Sequence, residues 1–560
     1  MAKKNRGRKN AKPIRKRPPT TSAARQPKRS RLPTLIGGAI AIVAAAYGVY
    51  HFGFANGYRG PVKHVIIISL DTTRPDHFGC YGNTEVKTPN IDALAKESIL
   101  FTDAMTVVPT TLASHASLFS GKHPHNHGTP RNGHLVNTEN VMLAEILKDA
   151  GFHTAGFLGS FALDSRFHFN QGFDYYEDDK FDQLAGVDVE AAPDQDQRRA
   201  KAVTDSVIQY LDEKGVPDNL FLFAHYFDAH APYDPPAPYF EMYKHPQDPG
   251  GLLLYPFVRW RLNQHPEAEH PAAAALRQRY KGEISYQDEH VGRLIADLKR
   301  RGILDESILI LISDHGENLD EHYQYLDHGF SVYQTTMRIA CMIRLPKGLH
   351  GGKRIDDLVA NIDILPTLLT YMGLPLPEGM DGDVIDLAGA TVPFAPRASF
   401  GEATKPPVSM IETDPRWTNI LKARCIREGN YKYVQVPYPM DLGIPLSPEA
   451  LFDLDSDPME QNNLLEAPTP EIQAIAADLK AKLDKWAVSG RPLPTHYDSS
   501  QRDDTMRRLG GLGYVYYDGE RTTFRQAQQE ESKRMKQRME SMGYADALRD
   551  MPATTPRRRP

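Results

Sequence analysis

Runs of consecutive apolar residues alternate along the chain with amphipathic segments of helical period. HVIIISL (64–70) and SILILIS (307–313) are β-branched runs typical of strands buried on both faces, and NLFLFAHYF (219–227) is a third. Helical patterns lie between them, at 88–98, 112–121, 140–151, 199–214 and 285–302. The alternation predicts an α/β fold, with a doubly wound, mostly parallel sheet. Ligands of such sheets bind beyond the carboxyl ends of the strands.

The pattern changes toward the C-terminus. IDILPTLLTYMG (362–373) reads as one more amphipathic helix, and a Pro/Gly-rich crossing then leads to short strand-like pieces such as ARCIREGNYKYVQVP (423–437). We therefore expect a catalytic domain at 62–385 and a smaller C-terminal α+β subdomain of the same fold at 395–488. The remainder, 489–560, is a polar, partly helical tail.

The N-terminal segment predicts a membrane anchor. Residues 32–55 contain no Asp, Glu, Lys or Arg, and this uncharged stretch is long enough for one transmembrane helix. The basic tail, 1–31, precedes it, so the N-terminus is expected inside and the catalytic domain outside the cytoplasmic membrane, periplasmic or extracellular. A cleaved leader remains an alternative. A nucleic-acid-binding arm is a further alternative, but we expect no nucleic-acid partner.

Charge and cysteine content sharpen this division. The net charge is −5, from 66 Lys+Arg and 71 Asp+Glu, but 13 of the bases lie in residues 1–31. The other 53 bases face all 71 acids, so the body carries −18. Three cysteines in a chain of 560 residues do not make a disulfide framework, and the core must supply the stability.

Polar residues with metal-ligand chemistry follow the predicted strands. Asp71 and Asp314 each end a strand, and two carboxylates gathered at one cleft repel each other unless a cation or a proton compensates them. A divalent metal explains them most simply. His315 and His328 add nitrogen donors, which favours zinc or manganese, with calcium or magnesium still possible.

Ten sequence blocks, in order, resemble the sulfatase-like family of the alkaline phosphatase superfamily. They are SLDTTRPDHFGCYG (69–82), TPNIDALAKES (88–98), TTLASHASLFSGKHPHNHG (110–128), HYFDAHAPYDPP (225–236), GEISYQDEHVGRL (282–294), SDHGENLDEH (313–322), HG (328–329), DILPTLLTYMGLP (363–375), DG (381–382) and LFDLDSDPMEQNNL (451–464). The resemblance implies an alkaline-phosphatase-like fold and a metal-dependent hydrolase of phosphoric or sulfuric esters.

Thr111 is the most informative departure from the family pattern. It stands ten residues before Gly121, where sulfatases carry the Cys or Ser that becomes formylglycine, and Thr cannot form that aldehyde. It also precedes a predicted helix, Leu112–Ser120, whose positive end suits a tetrahedral oxyanion. A Thr alkoxide suits in-line attack on phosphorus. The alternatives are that Thr111 is only an N-cap, or that Thr110 takes either role.

The resemblance assigns the remaining site residues by position. It implies that Asp71, Thr111, Asp314 and His315 bind the metal. It also implies that His230 and His328 meet the anionic oxygens of the substrate, orient water or hold a second metal. Residues expected nearby, as support or second-metal ligands, are Thr72, Arg74, His115, His225 and Asp228. Simple salt bridging is an equal alternative for Arg74.

Two further departures involve the residues that recognise sulfate. His115 replaces the Arg that braces the nucleophile, and TAGFLGS (154–160) replaces the family's Gly-Lys-Trp-His block. Asp71-Thr72-Thr73-Arg74 instead resembles the Glu-Thr-x-Arg of phosphoethanolamine transferases. The histidine-rich HPHNHG (123–128), with His134, is expected to form a surface loop or surface metal tract.

These patterns predict a membrane-anchored hydrolase that acts on a small-molecule, glycan or lipid anionic ester through Thr111. Phosphate or phosphonate esters are favoured over sulfate. The alternatives are sulfate ester hydrolysis without formylglycine, transfer of a phosphoalcohol head group to an envelope glycan or lipid, and a non-catalytic envelope scaffold. The sequence does not identify the natural substrate or the oligomeric state.

Overall fold

A computed structural model of the chain describes residues 62–182, 197–248, 271–323, 328–329, 331–393, 397–404, 422–436, 447–498, 500, 504–505 and 508–509. These residues belong to one compact unit, Asn56–Pro560, and the other unit, Met1–Ala55, lies outside them. The predicted basic tail (1–31) and membrane helix (32–55) are therefore not among the described residues, and neither is the part of the predicted tail after residue 509. Within the described part of the chain, no helix is long and apolar enough to cross a membrane.

The β-branched runs form the centre of the main sheet. Its strands are β1 His64–Leu70, β2 Ile99–Met105, β3 His153–Phe157, β4 Tyr175–Glu177, β5 Leu220–Tyr226, β6 Ser307–Ser313, β7 Arg338–Arg344, β8 Arg354–Ile355 and β9 Val359–Ala360. Their order is β4-β3-β5-β1-β6-β7-β2-β8, with β9 also paired to β2. β1 lies between β5 and β6 and runs parallel to both, whereas β7 is antiparallel to β6 and to β2. The prediction of a mostly parallel sheet is confirmed.

Helices pack on both faces of this sheet and on a smaller second sheet. They are α1 Pro89–Lys96, α2 Thr111–Ser120, α3 Pro124–His127, α4 Leu143–Asp149, α5 Asp179–Asp182, α6 Ala200–Lys214, α7 Tyr239–Tyr243, α8 Pro271–Arg300, α9 Gln334–Met337, α10 Ile364–Met372 and α11 Pro470–Trp486. Because side chains alternate along a strand, Ile66 and Ile68 of β1 share one core cluster with α1, α6 and α8. On the opposite face, Phe119 of α2 packs 5.2 Å from Phe223 of β5.

A second, smaller sheet follows in the chain. It is antiparallel, with β10 Ser399–Ala403, β11 Ala423–Glu428, β12 Tyr431–Gln435 and β13 Glu449–Asp453 in that order. One face packs on α11 through Leu479 and Leu483, and the other contacts Met105 and Met337 of the main sheet region. This matches the predicted α+β character of the C-terminal part, while the predicted boundaries 62–385 and 395–488 stay predictions.

Part of the predicted tail returns to the main sheet region. The backbone N–H of Leu493 donates to Asn126 (3.1 Å), and that of Leu135 donates to His496 (2.9 Å). Further on, the guanidinium of Arg508 lies 3.8 Å from the Phe161 ring centroid. These contacts place described residues between 493 and 509 along loops that follow α2.

Candidate active site

Two carboxylates meet at the carboxyl end of the main sheet. Asp71 directly follows β1 and Asp314 directly follows β6, and the parallel register pairs Leu70 with Ser313. Both carboxylates are buried, with Asp71 0% and Asp314 3% exposed. The neighbours that sequence reasoning expected from strand topology are thus adjacent in space.

Each carboxylate has one bonded and one unbonded oxygen. Asp314 Oδ1 accepts hydrogen bonds from the backbone N–H groups of Thr72 (3.1 Å) and His315 (2.7 Å). Asp71 Oδ2 accepts from Thr111 Oγ1 (3.3 Å) and His225 Nε2 (3.2 Å). The other two oxygens, Asp71 Oδ1 and Asp314 Oδ2, are buried and make no hydrogen bond to the described residues. Buried carboxylate oxygens without donors need a compensating proton or cation.

His315 completes a three-ligand group. Its Nδ1–H donates to the carbonyl of Gly316 (2.9 Å), so its Nε2 carries the lone pair. Ligand atoms of Asp71, Asp314 and His315 all lie within 4.8 Å of one another. Burial lowers the pKa of His315, and His328 lowers it further, so the imidazole is neutral as a ligand must be.

Electrostatics also call for a cation at this position. Burial raises the pKa of Asp71 well above its ordinary value, and burial followed by the charge of Asp71 does the same for Asp314. The two groups therefore hold a proton or a metal rather than two bare negative charges. Two carboxylates and one imidazole fit zinc or manganese better than the all-oxygen ligand sets of calcium and magnesium.

Thr111 lies at this group and not at the helix cap. Thr110 is the N-cap, with an extended backbone and no side-chain capping bond, and Thr111 is the first residue of α2. Thr111 Oγ1 is 3.3 Å from Asp71 Oδ2 and 3.5 Å from His315 Nε2. The alternative that Thr111 serves only as an N-cap is therefore wrong. The helix also begins one residue before the predicted Leu112.

The first turn of α2 is held by residues that sequence reasoning missed. The Leu112 N–H donates to Asn132 Oδ1 (2.7 Å), so this amide at the helix start is already satisfied by the chain. Ser114 Oγ donates to the carbonyl of Asp314 (2.7 Å). These bonds tie the start of α2 to the end of β6, and they fix the position of the Thr111 hydroxyl relative to the carboxylates.

Thr72 occupies a strained turn beside Asp71. Its φ is 50°, a left-handed conformation that residues with a Cβ rarely adopt. Its N–H bonds to Asp314 and its carbonyl accepts from the Tyr280 hydroxyl (2.6 Å). Strain of about 1–3 kcal/mol is retained where surrounding contacts over-determine the backbone, and here it aims an amide at a carboxylate.

His115 links the turn at Thr111 to strand β1 through its two ring nitrogens. Its Nδ1–H donates to the carbonyl of Thr111 (2.7 Å), and its Nε2 accepts from Ser69 Oγ (2.8 Å). Burial, and then the neighbouring His225, lower its pKa. Although ligand atoms of His115, His225 and Asp314 also lie within 4.8 Å of one another, the bonds of His115 assign it to bracing Thr111.

His328 lies next to His315, and His230 lies next to His328. The ring centroid of His328 is 4.4 Å from that of His315 and 5.1 Å from that of His230. His328 Nδ1 donates to Glu317 Oε1 (3.1 Å), and the ring of His230 stacks on Phe227. Both histidines thus join the cluster that the sequence placed them in.

Two predicted neighbours have charged partners of their own. Arg74 pairs with Asp76 and Glu321, each at 2.7 Å, which is the salt-bridging alternative. Asp228 is buried near Arg199 and Glu283, and burial raises its pKa to about 7.

The histidine-rich segment is not a surface loop. His123, His125, His127 and His134 are 7%, 5%, 0% and 1% exposed. The rings of His123 and His125 stack on each other and meet Trp486 edge-on. The expectation of a solvated or surface metal tract is wrong, because α11 and the returning tail cover residues 123–137.

Comparison with known proteins identifies the relatives of the chain. A family model described as "Sulfatase" matches residues 63–374. An ulvan-active sulfatase of Formosa agariphila is 28% identical over 446 residues, covering 76% of this chain and 81% of that protein. A multifunctional alkaline phosphatase superfamily protein of Trinickia caryophylli is 25% identical over 530 residues, covering 80% and 99%. The structure of a phosphonate monoester hydrolase of Agrobacterium radiobacter superposes with a TM-score of 0.59 at 23% identity, covering 77% of this chain and 97% of that one.

Proposed function

Since the chain belongs to the sulfatase family and is a sulfuric or phosphoric ester hydrolase, we propose that Thr111 is its nucleophile and that phosphate or phosphonate esters are its preferred substrates. The observation that carries this proposal is the position of Thr111 Oγ1, which lies 3.3 Å from Asp71 Oδ2 and 3.5 Å from His315 Nε2. A hydroxyl held at a cation site can attack phosphorus directly. It cannot use the aldehyde-hydrate route of formylglycine enzymes.

Asp71, Asp314 and His315, together with Thr111, are the residues that would hold a divalent metal. The unbonded Asp71 Oδ1 and Asp314 Oδ2 and the Nε2 of His315 supply the donors, and zinc or manganese fits this set. When bound, the ion neutralises the carboxylates and the charge that develops on the ester, and it lowers the pKa of the Thr111 hydroxyl.

Groups around Thr111 can accept and donate the protons that the reaction transfers. The Thr111 oxygen forms a bond to phosphorus, and its proton leaves along the hydrogen bond to Asp71 Oδ2. The bond to the leaving-group oxygen breaks with its electron pair on that oxygen, which takes a proton from His230 or His328. Water then attacks phosphorus and gives one proton to the same histidine, while the Thr111 oxygen takes its proton back from Asp71 as phosphate or phosphonate is released.

Sulfate esters are the second candidate substrate class, because relatives such as the ulvan-active sulfatase are named for sulfate chemistry. Against this, no described residue at 154–160 supplies the Lys and His that the family uses to bind sulfate. In either case the substrate would be a small-molecule, glycan or lipid anionic ester. A head-group transferase would transfer the same phosphoryl group from Thr111 to an acceptor alcohol in place of water.

We also propose a location for this activity. The apolar stretch 32–55, behind a basic tail, would anchor the chain in the cytoplasmic membrane with the site outside. Protease protection of the N-terminal tail in intact spheroplasts, with cleavage of the body, would support this orientation.

The test is an assay of the full chain on nitrophenyl esters of phosphate, methylphosphonate and sulfate and on a phosphodiester, with zinc or manganese added. We expect phosphorus esters to be turned over at least about tenfold faster than sulfate, and Thr111→Ala to lose at least about a thousandfold in kcat. Thr110→Ala is the matched control and keeps most activity. Sulfatase activity that survives in Thr111→Ala would refute the proposal, and no turnover of any ester would favour a scaffold.

A further inference from the structure

A buried chain of three side chains leads into the histidine cluster. The Tyr233 hydroxyl donates to Glu317 Oε2 (3.2 Å), and His328 Nδ1 donates to Glu317 Oε1 (3.1 Å). All three are almost wholly buried: Tyr233 is 1%, Glu317 1% and His328 5% exposed. Arg74 also donates to the backbone carbonyl of Glu317 (3.2 Å), which fixes this residue at its backbone as well.

The hydrogen bond between His328 and Glu317 determines which ring nitrogen of His328 faces the carboxylate. A carboxylate only accepts hydrogen bonds, so Nδ1 of His328 carries a hydrogen and its Nε2 is turned away from Glu317. The ring lies 4.4 Å from the ring of His315, whose Nε2 is 3.5 Å from Thr111 Oγ1. The carboxylate therefore holds His328 in one orientation beside the nucleophile.

We propose, resting on the function proposed above, that Glu317 is a positioning residue that orients His328 for proton transfer to the leaving group. In its imidazolium form, His328 gives its Nε2 proton to the leaving-group oxygen as the bond between that oxygen and phosphorus breaks, and the ring becomes neutral with its hydrogen on Nδ1. It takes a proton back from the water that attacks the Thr111 ester. Tyr233 holds the second oxygen of Glu317, so the carboxylate does not rotate away from the ring.

This assignment selects between the two histidines. The Nδ1 of His230 donates to the carbonyl of Ala231 (2.7 Å), a neutral acceptor one residue away, and its ring stacks on Phe227. A carboxylate stabilises an imidazolium as it forms, and a neutral carbonyl does so less. His328 is thus the ring equipped to exchange a proton, whereas the contacts of His230 suit binding of the substrate.

The leaving group provides a test that a structural role would not pass. A nitrophenolate leaves without a proton, but an alkoxide needs one, so loss of the proton donor slows alkyl esters more than nitrophenyl esters. We expect Glu317→Ala to lower kcat on an alkyl ester at least about tenfold more than on the nitrophenyl ester of the same acid, with KM nearly unchanged. Glu317→Gln, which keeps an acceptor oxygen, should recover part of this loss. The leaving-group ratio is kcat on the nitrophenyl ester divided by kcat on the alkyl ester of the same acid. Tyr233→Phe should raise this ratio by a few fold, in the same direction as Glu317→Ala.

Controls separate this proposal from misfolding and from the function on which it rests. Bound metal and melting temperature are measured for each variant, and His328→Asn combined with Glu317→Ala should be no slower on the alkyl ester than His328→Asn alone. Glu321→Gln, on the same loop but paired with Arg74, should leave the leaving-group ratio unchanged. Equal losses on both esters, or none, with metal retained would overturn the role of Glu317. Activity remaining in Thr111→Ala would instead overturn the proposed function.

Discussion

At the scale of single residues, each ligand side chain uses one polar atom in hydrogen bonds to the protein and keeps a second polar atom that can bind a metal. His315 uses Nδ1 on Gly316 and presents Nε2, and Asp314 uses Oδ1 on two amides and presents Oδ2. The sequence predicted Asp71, Asp314 and His315 because each follows a strand. It did not predict Ser69, Asn132 or Glu317, since these act through contacts between segments that are distant in the chain.

The ion pair between Arg74 and Glu321 contributes to the stability of the folded protein. Burial alone would raise the pKa of Glu321, but the charge and hydrogen bond of Arg74, together with the backbone N–H groups of Leu319 and Asp320, outweigh burial and hold this pKa at about 2 against an ordinary value of 4.5. A depressed folded-state pKa stabilises the protein above pH 4.5, and this contribution is lost as the pH falls toward 2. At about 1.4 kcal/mol per pH unit, the upper limit is about 3 kcal/mol.

We therefore expect Glu321→Gln to lower the free energy of unfolding by about 1–3 kcal/mol at pH 7. The difference from the wild type should shrink between about pH 4.5 and pH 2, because the wild type protonates Glu321 there and the variant has nothing to protonate. Urea unfolding of both proteins across this range measures it. A difference that stays constant with pH would contradict the assigned pKa.

At the scale of elements, strands β1 and β6 carry the fold and the site together. The β-branched runs 64–70 and 307–313 became strands with the predicted bounds, because burial on both faces leaves little choice of structure. Helix α8 is longer than its predicted segment and begins at Pro271. The sequence did not predict its first turns, because the consecutive alanines at 272–275 distinguish no apolar face from a polar one.

Asp71 and Asp314, which follow β1 and β6, lead to a prediction about how metal binding changes the stability of the protein. Without metal, Asp314→Asn should be as stable as the wild type or more stable, because it removes repulsion between two buried carboxylates. With excess zinc or manganese the order should reverse, since an ion at 100 to 1,000 times its Kd adds about 3–4 kcal/mol to the wild type alone.

Melting temperatures with metal and with chelator test this reversal. Asp228→Asn is the matched control, because Asp228 is also a buried carboxyl but lies near Arg199. It should keep the full metal-induced shift. Asp314→Asn showing the same shift as the wild type would contradict the ligand assignment.

At the scale of the whole molecule, the C-terminal part encloses the region that carries the nucleophile. The small sheet packs on Met105 and Met337, and Trp486 of α11 covers His123 and His125. Sequence reasoning predicted a smaller subdomain from the change in strand pattern. The return of the tail across residues 126–137 could not be predicted, because a polar segment carries no periodic signal of the surface that it covers.

The returning tail should be needed for stability. A chain that ends after Ser489 loses the backbone bonds of Leu493 and His496 and the buried side chains of Arg508 and Leu509. We expect its melting temperature to fall by several degrees relative to a chain that ends after Leu509, which keeps all of these contacts. Equal melting temperatures for the two truncated chains would show that the tail contacts contribute nothing.

The central claim is that Thr111 carries the phosphoryl group during turnover. The most direct measurement is an acid quench of the full chain while it hydrolyses its best ester, followed by mass spectrometry of the tryptic peptide 97–122, which contains Thr110 and Thr111. The account predicts a phosphoryl group on Thr111 that is present in Thr110→Ala and absent in Thr111→Ala. Steady turnover with Thr111 unmodified, or with the group on Thr110, would contradict it.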